Sequence, residues 1–398
     1  MTLRLLATLM LLIVACDASS GPREQAKRMH DRLAGVPPSA AVLDQMAAMI
    51  GTGDSRGAAL VAMDNNAFYD VTLKNLAMPW TNRDFSVFRP LNDYVATVVG
   101  IVRDGRDFRE VLSGDVLYTG NASLGLPTYS NAGNAHYEAI EARGLSLKTA
   151  LVATSQSAVT GVPAGATAGV LTTRAAAKAF FINGTNRAML RFTLVNHLCT
   201  DLERLKDTSR PPDRIRQDVT RSPGGDSRIF LNNCIGCHSG MDPLAQAFAF
   251  YDFAHDADAD PDGDSGAISY NDAGATDPAT GNRVKKKYRI NSDNFKPGYV
   301  TQDDHWNNYW RSGQNTAVGW DSAAPGSGTG AKSLGAELAN SRAFAQCHSV
   351  HVFKTVCLRD PQDAADRASV VAITTAFTAS GYKLKEAFAS AAGYCMGQ

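Results

Sequence analysis

The chain has 398 residues, enough for two or three domains, and its 39 basic residues equal its 39 acidic residues in number. This balance gives no reason to expect a polyanionic partner such as nucleic acid.

The N-terminus has the pattern of an export signal. Arg4 precedes an apolar run from Leu5 to Val14 that is too short to span a bilayer. The next residues, Ala15-Cys16, complete a segment that resembles the lipobox of bacterial lipoproteins. The resemblance implies that residues 1–15 are removed, that Cys16 is acylated, and that the protein lies in the periplasm or at the cell surface, anchored to a bacterial membrane. The alternative is an ordinary signal-peptidase site with Cys16 incidental.

Apolar spacing along the rest of the chain favours helices. The predicted helices cover 23–50 with a break at Pro37-Pro38, 68–77, 94–102, 107–118, 175–181, 187–205, 227–238, 334–358 and 364–391. Segments rich in Gly, Ser, Ala or Asp predict loops at 120–135, 159–167, 254–291 and 313–333, with one strand at 284–290. Alternating patterns are scarce, so the fold class is predicted to be mainly α. A polar, proline-containing stretch at 208–225 predicts a boundary between a helical region 16–225 and a second region 226–398.

The second region contains Cys234-Ile-Gly-Cys237-His238 near its start. The pattern C-x-x-C-H is the attachment site of a c-type haem, with both cysteines bonded to the porphyrin and the histidine on the iron. Two intervening residues place the thiols about one helical turn apart. A thioredoxin-like site and half of a zinc site are the alternatives, but no βαβ pattern precedes the motif and no second ligand pair follows at a usual distance. We therefore predict one covalent haem c, held in a haem domain at 226–398, with 16–225 free of haem.

The distal ligand is not fixed by the sequence. Met241 lies three residues after His238 on the same helix, hence on the proximal side, and Met241-Asp242-Pro243 is interpreted as a helix stop. His305 is a weak distal candidate because Trp306, Tyr309 and Trp310 follow it and could wall a haem. The remaining downstream candidates are His255, His348, His351 and Met396. His348 and His351 lie near Cys347, where a structural role is the more typical one.

An acidic segment follows the haem motif. Asp258, Asp260, Asp262 and Asp264 alternate with other residues, and Gly263 stands at the sixth position, as in a calcium loop. Ser269 occupies the twelfth position, where such a loop has a bidentate Glu. A bound calcium with Asp252 or Asp256 completing the ligand shell and a solvated acidic loop are both left open.

Four further cysteines suggest up to two disulfides in an oxidising compartment. They are Cys199, Cys347, Cys357 and Cys395, which allow three pairings. Cys347 and Cys357 are ten residues apart on one predicted helix, too far for a bridge, whereas a Cys357–Cys395 bond would tie the last two predicted helices together. Free buried thiols are the alternative.

Several short stretches resemble the bacterial proteins known as planctomycete-type cytochromes. They are 31–38 (DRLAGVPP), 169–172 (GVLT), 184–187 (GTNR) leading to Leu198-Cys199, 234–244 (CIGCHSGMDPL) with 250–252 (FYD) behind it, 344–347 (FAQC) and 380–384 (SGYKL). The resemblance covers nearly the whole mature chain and implies a mainly helical haem protein outside the cytoplasm. It implies no particular reaction.

Three hypotheses about function follow. The first is a membrane-anchored mono-haem cytochrome that passes single electrons to or from a redox partner. In this hypothesis the haem-free region docks the partner or shields the haem. The second is a haem enzyme of oxidase or peroxidase type, because an electron carrier needs only about 100 residues, the size of one domain. The third is a structural subunit of a larger envelope complex. A basic run, Lys285-Lys286-Lys287, is interpreted as a solvated strand start that could also orient a redox partner.

Overall fold

The structure is a computed structural model that describes residues 20–181, 187–210, 213, 228, 230–256, 258–270 and 303–397. This part of the chain is mainly α-helical with three short two-stranded antiparallel sheets, which confirms the predicted fold class. None of its helices combines the length and the apolar character needed to cross a membrane.

The helices and strands alternate irregularly along the chain. The α-helices are α1 (Pro22–Ala34), α2 (Ala40–Gly51), α3 (Ser55–Met63), α4 (Lys74–Ala77), α5 (Asp93–Arg103), α6 (Glu110–Ser113), α7 (Ala135–Ala142), α8 (Leu147–Ala150), α9 (Gln156–Thr160), α10 (Arg174–Phe180), α11 (Arg187–Leu198), α12 (Ile235–Ala245), α13 (Gly330–Ala339), α14 (Arg342–Cys357), α15 (Ala364–Ala379) and α16 (Leu384–Cys395). Strands β1 (Leu117–Gly120) and β2 (Leu151–Thr154), β3 (Tyr251–Ala254) and β4 (Ala267–Tyr270), and β5 (His305–Asn307) and β6 (Ser327–Thr329) pair with each other. Turns of π-helix occur at Phe68–Leu73 and Phe230–Cys234.

Side-chain caps explain where several of these helices begin. The Ser39 hydroxyl, just after the predicted Pro-Pro break, accepts from the Val42 amide and starts α2. Asn92 starts α5 in the same way, through the amide of Val95. Such a cap satisfies an amide that has no partner inside the helix and contributes about 1 kcal/mol.

The core is organised around α5, which is buried at every position except its last residue, Arg103. Its sequence is apolar on all sides, which is typical of a helix surrounded by others. One continuous hydrophobic core extends from Ala26 on α1 to Cys395 on α16. Helix α16 packs against α1 and α3, so elements from both sides of the predicted boundary share that core. The boundary residue 225 itself lies outside the described residues.

Several predicted helices differ in the structure; the one predicted over 187–205 ends as α11 at Leu198, and a 3₁₀ turn follows at Leu202–Leu205. The helix predicted over 334–358 is two helices, because Ser341 caps the amide of Phe344 and starts α14 after α13 has ended. The helix predicted over 364–391 is also divided, because Gly381 adopts a φ of 74° between α15 and α16. The helix predicted over 107–118 shrinks to α6, since its C-terminal part pairs with β2 as strand β1.

Two predicted loops contain strands, and one predicted strand lies outside the described residues. Strand β4 lies within the loop predicted over 254–291, where it pairs with β3, and β6 lies within that predicted over 313–333. The strand predicted at 284–290, with Lys285-Lys286-Lys287, lies outside the described residues.

Both disulfides of the described residues involve α14. Cys199, just after α11, is bonded to Cys347, and Cys357 is bonded to Cys395 at the end of α16. Cys347 and Cys357 lie on the same helix and have different partners, as the sequence predicted. These bonds fix α14 to the segment just after α11 and to the end of α16. The bonded cysteines are 148 and 38 positions apart in the sequence.

A buried cluster of three histidines joins α11 to α14. Both ring nitrogens of His197 take part in hydrogen bonds. Nε2 lies 2.8 Å from the Tyr94 hydroxyl oxygen, and Nδ1 lies 3.3 Å from Nε2 of His348. His351 lies beside them, with Nε2 3.1 Å from the carbonyl oxygen of Asn196. Burial lowers the pKa of His197 to about 3 and of His351 to about 4, and it lowers the pKa of His348 as well. The cluster is therefore neutral in the folded protein.

We expect this cluster to make the protein less stable in mild acid. Between about pH 6.5 and 4 the unfolded chain binds protons at these histidines and the folded chain does not, so the free energy of unfolding falls as the pH falls. Replacing His348 by Leu should remove up to about 1.4 kcal/mol of this fall for each pH unit. Chemical unfolding of both proteins across this pH range measures the difference. The buried carboxyl of Asp93, whose pKa burial raises, titrates in both proteins and cancels. Equal pH dependence in the two proteins would contradict the expectation.

Candidate functional site

The predicted haem motif lies where a π-helical turn passes into α12. Cys234 is the last residue of the π turn, and Cys237 and His238 belong to the first turn of α12. The three side chains are partly exposed. The helical conformation of 234–238 matches what the motif needs, with two thiols about one turn apart and the imidazole next to them.

Two glycines let α12 pack closely against the rest of the protein. A Cβ atom at Gly240 would collide with the indole of Trp310, and one at Gly236 would lie 2.8 Å from the Lys206 side chain. The segment before Thr208 runs along the same face, where the Asp207 amide donates to the Gly236 carbonyl at 2.9 Å. Only glycine allows this approach at both positions. The contact fixes the orientation of the helix that carries Cys237 and His238.

Helix α12 continues to Ala245 with Pro243 inside it, so the helix stop predicted at Met241-Asp242-Pro243 is wrong. A proline inside a helix costs about 3 kcal/mol because it removes a hydrogen bond and crowds the preceding turn. Tertiary contacts offset this cost, since Met241 and Pro243 are buried and Asp242 is held by an ion pair. Met241 therefore stays on the helix of His238, as expected for a residue that is not the distal ligand.

A carboxylate contacts the predicted iron ligand. Nδ1 of His238 lies 3.1 Å from Oδ2 of Asp242, one helical turn further along α12. The guanidinium of Arg187, the first residue of α11, donates to both oxygens of this carboxylate at 2.7 Å. The Asp242 side chain is only 6% exposed. His238, Asp242 and Arg187 thus form a connected group behind the haem motif, with the buried Asp242 between two partly exposed side chains.

The protonation of this group follows from its charges. Burial alone would raise the pKa of Asp242, but the charge of Arg187 and the hydrogen bonds from Arg187 and His238 lower it to about 2. An ionised carboxylate only accepts hydrogen bonds, so the His238 Nδ1 carries the proton. In the neutral imidazole the lone pair is then on Nε2, the nitrogen that a metal ion would bind.

The two cysteines of the motif are free thiols, while the other four described cysteines form disulfides. The Sγ of Cys237 lies 3.6 Å from the carbonyl oxygen of Leu202, and burial raises the pKa of this thiol. A pair of reduced, partly exposed thiols beside an oriented imidazole fits the donor set of a c-type haem.

The remaining distal candidates are spread over the fold. His305 is exposed at the start of β5, and His255 follows β3 with its ring 5.6 Å from that of Phe253. His348 and His351 are part of the buried histidine cluster, which agrees with the structural role expected for them. Met396 follows α16, and its carbonyl accepts from Arg28. The predicted distal ligand stays a prediction.

The acidic segment is an ordered loop between β3 and β4. The carboxylate of Asp260 accepts from the amides of Asp264 and Ser265, and Gly263 has a φ of 68°. The Asp264 carboxylate pairs with Lys178 at 2.5 Å, while Asp258 and Asp262 are exposed. The guanidinium of Arg174 donates to the backbone carbonyls of Gly263, Asp264 and Gly266. These contacts between protein groups hold the loop in its conformation. Calcium binding and a solvated loop both stay predictions.

A different set of potential metal ligands comes together within the described residues. Cys199, Cys347 and His351 have ligand atoms within 4.8 Å of one another. Since the two sulfur atoms are bonded to each other as a disulfide, they are not thiolate ligands. This cluster is therefore a structural link between α11 and α14.

Sequence reasoning missed three residues of these groups: Arg187, Asp242 and His197. Asp242 is four residues after His238, a spacing at which side chains meet on a helix, so this contact had a readable signal. Arg187 lies 55 residues from Asp242 and carries no local signal. The predicted lipidation residue, Cys16, lies outside the described residues.

We expect Cys234 and Cys237 to be the reactive cysteines of the haem-free chain. The chain from residue 20 onwards, exported with an unrelated cleavable signal peptide and produced without haem-attachment enzymes, should contain two titratable thiols after denaturation without reductant. Alkylation followed by peptide mapping should label Cys234 and Cys237 and recover the peptides that hold Cys199–Cys347 and Cys357–Cys395. Labels on any of those four cysteines would contradict the observed pairing.

Comparison with known proteins finds no matching family model, no similar curated protein and no similar solved structure. The resemblance to planctomycete-type cytochromes accordingly stays a prediction, and the functional argument rests on the residues themselves.

Proposed function

We propose that this protein is an extracytoplasmic, membrane-anchored c-type cytochrome with one haem, which passes single electrons to or from a redox partner. The observation that carries the proposal is the arrangement at the start of α12. Two free thiols lie next to an imidazole whose Nδ1 proton is fixed by Asp242. Each part of this arrangement meets a separate requirement of covalent haem binding.

Cys234 and Cys237 would hold the porphyrin. Each thiol adds across one vinyl group, so that an S–H bond breaks while a C–S and a C–H bond form, and no external oxidant is consumed. This chemistry requires both cysteines to be reduced, as they are here. His238 would bind the iron through Nε2, with Asp242 fixing the ring through Nδ1. The bound haem would supply an iron that cycles between Fe(III) and Fe(II).

The proposed location rests on the N-terminal pattern and on the disulfides. Residues 1–16 have the charge, apolar run and cysteine of a lipoprotein signal. Disulfides persist in oxidising compartments such as the bacterial periplasm, and the structure contains two. The redox partner belongs to the same compartment, alone or within a larger envelope complex.

We expect covalent haem to depend on the two motif cysteines. The protein produced with haem-attachment enzymes should carry one haem that survives denaturation and acidic solvent extraction. In the Cys234→Ser/Cys237→Ser variant, all haem should become extractable because no thioether can form. Haem-stained denaturing gels and intact mass measure this loss. Asn233→Ser, an exposed change in the preceding position, is the matched control and should keep the covalent haem. If the unsubstituted protein contained only extractable haem, or no haem at all, the proposal would be contradicted.

We also expect Cys16 to anchor the protein. Replacing residues 1–16 by an unrelated cleavable signal peptide should move it from the membrane fraction to the soluble fraction after salt washing, because the acylation site is lost and no uncleaved apolar run remains. Asp17→Asn, at the next residue, is the control and should leave it acylated. Retention in washed membranes of the protein that lacks Cys16 would exclude the lipid anchor and leave a membrane-bound partner as the explanation.

A haem enzyme of oxidase or peroxidase type is the second candidate. The contact between Asp242 and His238 favours it, since a carboxylate on the proximal histidine makes the ligand more basic and pushes electron density towards the iron. The length of the chain, far beyond one carrier domain, points in the same direction. An exchangeable distal position is what this candidate requires and the electron carrier does not.

A further inference from the structure

The group behind the haem motif contains opposing charges at different distances from the iron ligand. The Asp242 carboxylate contacts His238 directly, with 3.1 Å between Oδ2 and Nδ1. The Arg187 guanidinium contacts the same carboxylate through Nε on Oδ1 and Nη2 on Oδ2, each at 2.7 Å. Arg187 and His238 therefore share Oδ2. The negative charge is next to the ligand, and the positive charge is one group further away.

The surroundings make these charges effective. The side chains of Asp242, His238 and Arg187 are 6%, 23% and 27% exposed, so water screens them less than it would screen surface charges. Interactions between charges are stronger in such surroundings than in water. A hydrogen bond from Nδ1 to a carboxylate gives the imidazole more negative character, and an imidazole of this kind stabilises the more positive oxidation state of a metal.

We infer that Asp242 and Arg187 are positioning residues that set the reduction potential of the haem in opposite directions, Asp242 lowering it and Arg187 raising it. The inference rests on the proposed function, since it requires a haem on Cys234, Cys237 and His238. The reaction concerned is the gain of one electron from the partner by Fe(III), which becomes Fe(II). Asp242 favours the Fe(III) side through its charge and its hydrogen bond. The positive charge of Arg187, which also contacts Oδ2, weakens the effect of the carboxylate on His238.

Two variants separate this role from a purely structural one. Asp242→Asn keeps the shape of the side chain but removes its charge, so the ratio of Fe(II) to Fe(III) at a fixed electrode potential should rise about tenfold. This corresponds to about +59 mV for one electron. Arg187→Met removes the opposing charge and leaves the carboxylate to act on His238 alone. The ratio should then fall, and the midpoint potential should move in the negative direction.

The measurement is an optical redox titration of the purified haem-containing proteins at one pH and one ionic strength. Asp366→Asn is the matched control, because Asp366 is also a buried aspartate that binds an arginine, Arg359, but on α15. Its potential should equal that of the unsubstituted protein. A general loosening of the structure would move both test variants in the same direction, whereas the inference requires opposite signs.

The outcomes distinguish failure of this inference from failure of the proposed function. Opposite shifts for Asp242→Asn and Arg187→Met, with no shift for the control, support the inference. Covalent haem in every protein but an unchanged potential in Asp242→Asn, or shifts of the same sign in both variants, overturns the inference and leaves the proposed function intact. Absence of covalent haem from the unsubstituted protein overturns both. If one test variant does not accumulate, the presence and sign of the shift in the other decide the result.

Discussion

The buried carboxylate of Asp242 is the point on which the arrangement of the site depends. It lies between His238 on its own helix and Arg187 on α11, and it is almost completely removed from water. An unpaired charge in such a place costs several kcal/mol, so its arginine partner is a condition of the fold. The ion pair places α11 against α12 and fixes the ring of His238. It also helps to keep α12 helical through Pro243, in spite of the lost backbone hydrogen bond.

Helix α11 connects this ion pair with the rest of the protein. Its first residue, Arg187, contacts Asp242 on α12, while His197 near its end joins the buried histidine cluster. The Cys199–Cys347 disulfide follows directly and attaches the same end to α14. Both ends are therefore fixed by contacts with residues distant in the sequence. If His238 binds haem iron as proposed, α11 has a definite role, because it holds the side chain of His238 in place through Asp242.

The sequence predicted the helical class from apolar spacing, and it favoured one of the two disulfide pairs, Cys357–Cys395, because this bond would tie the last two predicted helices together. Apolar periodicity identified α5 and the start of α11, whereas the helix predicted over 227–238 ended seven residues before the end of α12. The helix stop at Pro243 was predicted wrongly because the rule for proline considers only neighbouring residues, whereas Arg187 and the surrounding core act from elsewhere. For the same reason the pairing of Arg187 with Asp242 and of His197 with His348 had no signal in the sequence. Contacts between distant segments are decided by packing.

The spin state of the iron tests the central claim, that the protein carries electrons, most directly. Optical and EPR spectra of the purified protein should be recorded in the oxidised and reduced forms, with and without added CO or cyanide. Two firm axial ligands give low-spin iron that does not react with CO, which is the result that the account predicts. High-spin iron that binds CO readily would contradict it and place the haem enzyme first.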